Sequence, residues 1–128
     1  MEKFNQSYID DYFYKVQELV CDCENVPAID IASKSQKAER VLARQLVMYF
    51  MHSLVSNQRS LAFIGSYYGK DHATVIHSLK VIANLRDTDK EFRNKLTAYT
   101  NQVERIRLNT NYLCACCDEL SLIELQHD

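Results

Sequence analysis

The chain has 128 residues, the length of one domain, and its 47% hydrophobic and 25% charged content is unlike that of a disordered chain. Two glycines and one proline are too few for the turns of a β-sheet protein, and no apolar run approaches the roughly 18 residues that span a bilayer. No basic and then apolar leader opens the sequence. We therefore expect one all-α domain over residues 1–128, located in the cytoplasm without membrane contact.

Charge is unevenly distributed along the chain. The formal net charge is −2, yet the segment from Asp30 to Arg86 holds eight basic and three acidic residues, and both flanking segments are acidic. A basic middle of this kind can present a positive face to nucleic acid although the whole chain is slightly acidic. An accidental excess of surface cations is the plainer alternative.

The first predicted helix covers residues 4–24, where apolar residues recur at steps of three and four: Ile9, Tyr12, Val16, Leu19 and Cys23. Pro27 ends it, because proline disfavours helix in the residue before it. A short helical turn is predicted at residues 28–32. The sequence at residues 33–36 has the pattern of a capping box, so we expect it to open a long helix that ends near Ser56.

The long helix carries three cations with helical spacing. Lys37, Arg40 and Arg44 lie at i, i+3 and i+7, which predicts a basic ridge on one face. On a DNA-binding protein such a ridge would neutralise phosphates. The plainer interpretation pairs Arg40 with the neighbouring Glu39 or leaves it in solvent.

Both glycines lie at a predicted helix-turn-helix. A helix of two turns at residues 61–68 is followed by Gly69, Lys70 and Asp71 and then by a helix over residues 72–86. Gly69 can supply the left-handed residue that ends the first helix, and Gly65 can let the two helices approach closely.

The second of these helices has two faces. The residues expected to point inward are Val75, Ile76, Leu79, Ile82 and Ala83. The opposite face carries Ala73, His77, Lys80 and Asn84. That face has one cation and no acid, which suits the major groove of DNA, and the helix start is where a recognition helix usually contacts bases. Alternatively, Asp71 is simply an N-cap and His77 a solvated histidine.

A C-terminal helical extension is predicted over residues 88–125, opened by a capping box of Thr88 and Glu91. Its apolar residues follow a step close to the coiled-coil repeat: Phe92, Leu96, Tyr99, Val103 and Ile106, continued by Leu113 and Leu120. Two interpretations stay open. The seam either completes the core of this chain or forms a homodimer through residues 92–120 that spans two half-sites.

Neither metal binding nor catalysis is predicted. The spacings of Cys21 and Cys23 and of the second cluster, Cys114, Cys116 and Cys117, differ from the usual zinc motifs, so we expect buried free thiols. No nucleophile and base, and no pair of carboxylates, have catalytic spacing, and a glycine-rich dinucleotide motif cannot be written with two glycines. We expect no enzyme, no metal and no cofactor.

Several segments share a pattern with one family: residues 44–49, 60–61 and 64–65 and, most specifically, the sequence Tyr68-Gly69-Lys70-Asp71-His72-Ala73-Thr74-Val75-Ile76-His77. They resemble the C-terminal DNA-binding domain of the bacterial replication initiator DnaA. The resemblance covers residues 16–86. It implies a helical fold of the Trp-repressor-like helix-turn-helix type that binds double-stranded DNA at replication origins, hence at the nucleoid.

The helical spacing and the resemblance together predict a DNA-contacting surface, made of Lys37, Arg40, Arg44, Gln45, Leu61, Lys70, Asp71, His72, Ala73, Thr74, His77 and Lys80. The resemblance implies the following roles. Within this surface, Asp71 and His72 would read bases. Thr74 would contact the DNA backbone or a thymine methyl group. Arg44 and Gln45 would hold phosphates.

Lys70 and His77 would lie beside the groove. The chain departs from the family pattern at three places. One glycine precedes Lys70 where the family has two, Ala73 replaces a threonine that contacts a base, and Gln36, next to Lys37, replaces an arginine that enters the minor groove. These changes leave recognition of the standard origin box open. The sequence also lacks an ATPase segment, so ATP-driven assembly is not expected. The alternatives are a protein-interaction adaptor or a small repressor with the same fold.

Overall fold

The computed structural model describes residues 3–32 and 37–109. These residues form helices joined by short turns, and no strand occurs among them, which confirms the all-α prediction. Within the same residues, every helix is too short or too polar to cross a lipid bilayer.

The described part of the chain contains six helices: α1 Gln6–Glu24, α2 Ala28–Ile31, α3 Ala38–Val55, α4 Leu61–Ser66, α5 His72–Thr88 and α6 Lys90–Asn109. Helix α3 is central, since it packs against α1, α2, α4 and α5. Helix α6 packs on α1 and α5. The helix-turn-helix pair α4 and α5 therefore packs against α3, and α5 also packs against α6.

Side-chain caps fix where two of these helices begin. The backbone N–H of Tyr8 donates to Oδ1 of Asn5 at 2.8 Å, at the start of α1. The backbone N–H of Phe63 donates to Oγ of Ser60 at 3.1 Å, at the start of α4. Each cap satisfies a backbone donor that has no partner within its helix.

The starts of α3 and α6 differ from the predictions. Helix α3 begins at Ala38 with Lys37 as an N-cap that makes no side-chain cap bond, and the capping box at 33–36 lies outside the described residues. The predicted capping box of Thr88 and Glu91 does not form, because α5 continues through Thr88. Asp89 caps α6 instead, accepting from the N–H of Phe92 at 3.1 Å.

The core is built around α1 and α3. Of the predicted α1 stripe, Ile9, Tyr12 and Val16 are buried, whereas Cys23 is exposed, because the buried stripe turns toward Val20 near the end of the helix. The hydroxyl of Tyr12 donates to the backbone oxygen of Phe50 at 2.9 Å, which joins the two helices. Burial raises the pKa of this phenol well above its usual range.

The apolar seam of α6 covers the core of its own chain. The seam residues Phe92, Leu96, Tyr99 and Val103 are all buried. The seam residues from Phe92 to Val103 therefore pack within their own chain, whereas Ile106 is only partly buried, and the described residues give the predicted homodimer no support. Leu113 and Leu120 lie outside the described residues.

Polar contacts hold both ends of α6 against α1. The hydroxyl of Tyr8 donates to the backbone oxygen of Arg107 at 2.9 Å. At the other end, the carboxylate of Glu24 pairs with the ammonium of Lys95 at 2.6 Å and accepts from the hydroxyl of Tyr99. These contacts fix the orientation of α6 relative to α1.

Candidate nucleic-acid interface

The two glycines set the geometry between α4 and α5. A Cβ on Gly65 would lie 2.4 Å from the backbone oxygen of Lys70, so only glycine fits at this close approach. The N–H of Lys70 donates to the oxygen of Gly65 at 2.9 Å and closes the turn. Gly69 has a φ of 63°, in the left-handed region, as its predicted role requires. Both glycine predictions are confirmed.

Asp71 holds the start of α5. Its Oδ1 accepts from both the backbone N–H and the hydroxyl of Thr74, each at 2.9 Å. These bonds, the backbone one foremost, lower the pKa of the Asp71 carboxyl. The N-cap interpretation of Asp71 is thus confirmed, while base contact by this carboxylate stays a prediction.

One face of α5 is open to solvent along its length. Ala73, His77, Lys80 and Asn84 are all exposed, as predicted, and His72 is exposed at the helix start. Ile76, predicted to point inward, is 36% exposed. The reason is helical phase, because the buried residues are Val75, Ser78 and Ile82, and Ile76 lies 100° round the helix from Val75.

A cleft of about 290 Å³ lies between α3 and α5. It brings together five residues of the predicted surface: Arg44, Gln45, Lys70, Thr74 and His77. Three further residues line the cleft and were not predicted from the sequence: Val41, Met48 and Ser78. The signal for the α3 pair is spacing, since Val41 lies one turn before and Met48 one turn after Arg44 and Gln45 on the same face. Among the residues that the structure describes, no acidic side chain lines this cleft.

The predicted basic ridge is not an exposed ridge. Arg44 is only 4% exposed and donates from Nη1 to the backbone oxygen of Ile31 at 3.1 Å, and its burial lowers the pKa of the guanidinium. Arg40 forms an ion pair with Asp30 at 2.7 Å. Helix α2 packs beside this part of α3 and engages both arginines, which sequence spacing does not reveal. Lys37 is exposed at the start of α3.

The other predicted contacts lie outside the cleft. These are Lys37, Arg40, Leu61, Asp71, His72, Ala73 and Lys80. Leu61 is half-buried, packs against the core and begins α4. The structure thus divides the predicted surface into the cleft, an exposed face of α5 and residues that mainly support the fold.

The two described cysteines have different environments. Cys21 is buried, and its burial raises the pKa of the thiol, whereas Cys23 is exposed, contrary to the prediction of buried thiols. Within residues 3–32 and 37–109, no three His, Cys, Asp or Glu side chains gather into a metal-binding group. Cys114, Cys116 and Cys117 lie outside the described residues.

A short helix, a glycine-containing turn and a second helix with one open face define a helix-turn-helix protein. The family model described as the bacterial dnaA protein helix-turn-helix matches residues 13–82, more than half of the chain. The chain belongs to this family.

Relatives of this chain are chromosomal replication initiator proteins DnaA. The protein from Flavobacterium psychrophilum is 42% identical over 79 residues, which cover 61% of this chain and 16% of the relative. The protein from Spiroplasma citri is 34% identical over 91 residues, 70% of this chain and 20% of the relative. The protein from Zymomonas mobilis is 38% identical over 92 residues, 70% and 18%. The match spans a fifth or less of each relative.

Proposed function

We propose that this chain binds double-stranded DNA sequence-specifically through α4 and α5, in the initiation of replication or its control at the nucleoid. The observation that carries the proposal is the open face of α5, which lies beside a cleft without acidic side chains. An α-helix with its side chains is about 10–12 Å across, which fits a major groove roughly 12 Å wide, and the 17 residues of α5 span about 25 Å. The protein acts by binding, with neither catalysis nor a cofactor.

Base contacts would come from the exposed start of α5. His72 projects from the first turn, and Asp71 holds that turn in place through its cap bonds to Thr74. An imidazole can donate to or accept from base edges in the major groove, and the Ala73 methyl group next to it can only make apolar contacts. We infer that His72 supplies more of the base discrimination than its neighbours in this turn.

Phosphate contacts would come from the residues around the cleft. Lys70 lies at its rim and Lys80 on the adjoining open face of α5, while Arg44 and Gln45 form its α3 wall. Cations on both sides of a recognition helix match the two phosphate backbones that border a groove. Since Arg44 also bonds to Ile31, its position is fixed before any DNA arrives.

The test begins with selection of binding duplexes from a random pool, followed by titration of the selected and a scrambled duplex. We expect His72→Ala to lose about 1–3 kcal/mol of discrimination between them. Asn94→Ala, an exposed change on α6, is the matched control and should retain the discrimination. Absence of measurable duplex binding at ~50 mM salt would refute the proposal.

A protein-interaction adaptor is the second candidate. The pairing of Arg40 with Asp30 and the burial of Arg44 favour it, because both reduce the exposed positive charge that DNA requires. The same selection separates the two functions. An adaptor would enrich no duplex, whereas a DNA-binding protein would enrich a shared sequence.

A further inference from the structure

A second cleft lies where α3, α5 and α6 meet. Its volume is about 180 Å³. It is lined by Arg86 and Arg93 together with Tyr49, Leu96, Thr97, Thr100 and Asn101. All of these except Tyr49 lie beyond residue 82, where the family match ends, and the proposed DNA surface uses none of them.

Contacts within the protein hold both arginines at this cleft. Arg93 donates from Nε to the backbone oxygen of Arg86 at 2.9 Å and from Nη2 to that of Asp87 at 3.5 Å. It thereby covers carbonyl groups in the last turn of α5. Arg86 donates from Nε to Asp87 at 3.2 Å, and the hydroxyl of Tyr49 lines the same cleft. The two cations are thus oriented by the fold.

These bonds leave donors for a ligand. A guanidinium has five N–H groups, and the contacts described above use two of them in Arg93 and one in Arg86. The other polar lining groups, those of Thr97, Thr100 and Asn101, are neutral. Asp87 offsets part of the charge of Arg86, but its carboxylate is exposed and does not line the cleft. The lining therefore has a positive charge.

We propose that this cleft binds a phosphate group. Two guanidinium groups with neighbouring hydroxyl and amide donors match the oxygens of a phosphate, which accept several hydrogen bonds at once. Two carriers share this chemistry, a phosphodiester of a DNA backbone and the phosphate of a free nucleotide. Arg86 is 15 residues from Asp71, about 22 Å along α5, so the cleft is separate from the base-reading end of the helix.

The test is a titration of the ¹⁵N-labelled full chain with sodium phosphate at constant ionic strength, observed at the arginine Nε–H resonances in NMR. We expect saturable shifts of the Arg86 and Arg93 signals. Arg93→Gln should weaken the apparent affinity, read at Arg86, about tenfold. Arg105→Gln, an exposed arginine of α6 outside the lining, is the matched control and should leave the affinity unchanged.

The wild-type titration decides the proposal even if Arg93→Gln fails to fold, and Arg86→Gln, read at Arg93, provides a second variant. Shifts that rise linearly without saturation, or saturable shifts that persist unchanged in both folded variants, would overturn it. Adenosine monophosphate and a short duplex are then titrated separately, and saturation by either supports the proposal and identifies the carrier. Because the cleft is distinct, His72→Ala should not alter the phosphate titration.

Discussion

Helices α5 and α6 are neighbours in the chain, separated only by Asp89, yet the fold holds them in different ways. Helix α6 buries an apolar residue at every turn of its seam, from Phe92 to Val103. Helix α5 buries only Val75, Ser78 and Ile82 and is fixed at its start by the glycine turn and the Asp71 cap. A helix with a buried apolar residue at every turn serves as scaffold, whereas a helix with few buried residues keeps a face for a partner.

The largest effect is expected from Gly65→Ala, which disrupts the glycine turn between α4 and α5. The new Cβ would meet the backbone oxygen of Lys70, which cannot move without displacing the turn, and we expect a loss of about 3 kcal/mol in unfolding free energy. Urea unfolding followed by circular dichroism measures it. Gly69→Ala has open space around it and should cost only about 1 kcal/mol, for its left-handed backbone. Equal losses would contradict this account of the turn.

Leu96→Ala tests whether α6 is a scaffold. Leu96 is 4% exposed, so its truncation leaves a cavity, and we expect a loss of about 2.5 kcal/mol. Asn94→Ala, exposed on the same helix, should change stability by less than about 0.5 kcal/mol. Thermal and urea unfolding measure both variants. If Leu96→Ala were as mild as its control, α6 would not be packed along its seam.

Asp71→Asn tests the cap at the start of α5 through the pH dependence of stability. The folded-state pKa of Asp71 is lowered, so its charge stabilises the fold above the unfolded pKa of about 3.9 and loses this effect as pH falls through the folded value. The variant keeps an acceptor at the cap but has no charge. We expect the wild type to be the more stable at neutral pH and the difference to vanish in acid. Urea midpoints across this range measure it, and a difference that grows on acidification would contradict the prediction.

Lys80→Ala should have the smallest effect on stability, within about 0.5 kcal/mol, because Lys80 is exposed on α5. If the open face of α5 binds DNA, this variant should reduce the slope of log affinity against log salt by about 1. Fluorescence anisotropy at several salt concentrations measures the slope. Arg105→Ala on α6 is the control, and an equal change in its slope would remove the distinction between the two helices.

The sequence predicted the scaffold better than the surface. The regular spacing from Phe92 to Val103 predicted both a helix and its buried side, because one apolar residue per turn is a long, redundant signal. The glycine turn was predictable because few residues adopt its backbone geometry. Helix starts were less predictable, as Asp89 shows by capping α6 in place of Thr88, since several nearby side chains can perform this role.

The positions of the arginines could not be predicted. Arg44 and Arg40 have the spacing of an exposed ridge, but the side of α3 that carries them packs beside α2, where Ile31 and Asp30 engage them. Such contacts depend on tertiary arrangement, which local spacing does not encode. The cleft between α3 and α5 was predicted in part for the same reason: Arg44, Gln45, Lys70, Thr74 and His77 were predicted, whereas Val41, Met48 and Ser78 were found only in the structure.

The single residue between α5 and α6 has a mechanical consequence. Arg93 bonds to carbonyl groups at the end of α5, and Tyr8 and Glu24 hold α6 to α1. Helix α5 could therefore tilt only if α6 bent or moved with it. The exposed face of α5 is therefore presented at a fixed angle before any partner arrives. Association through it would require little ordering of the backbone, so more of the contact energy would appear as affinity.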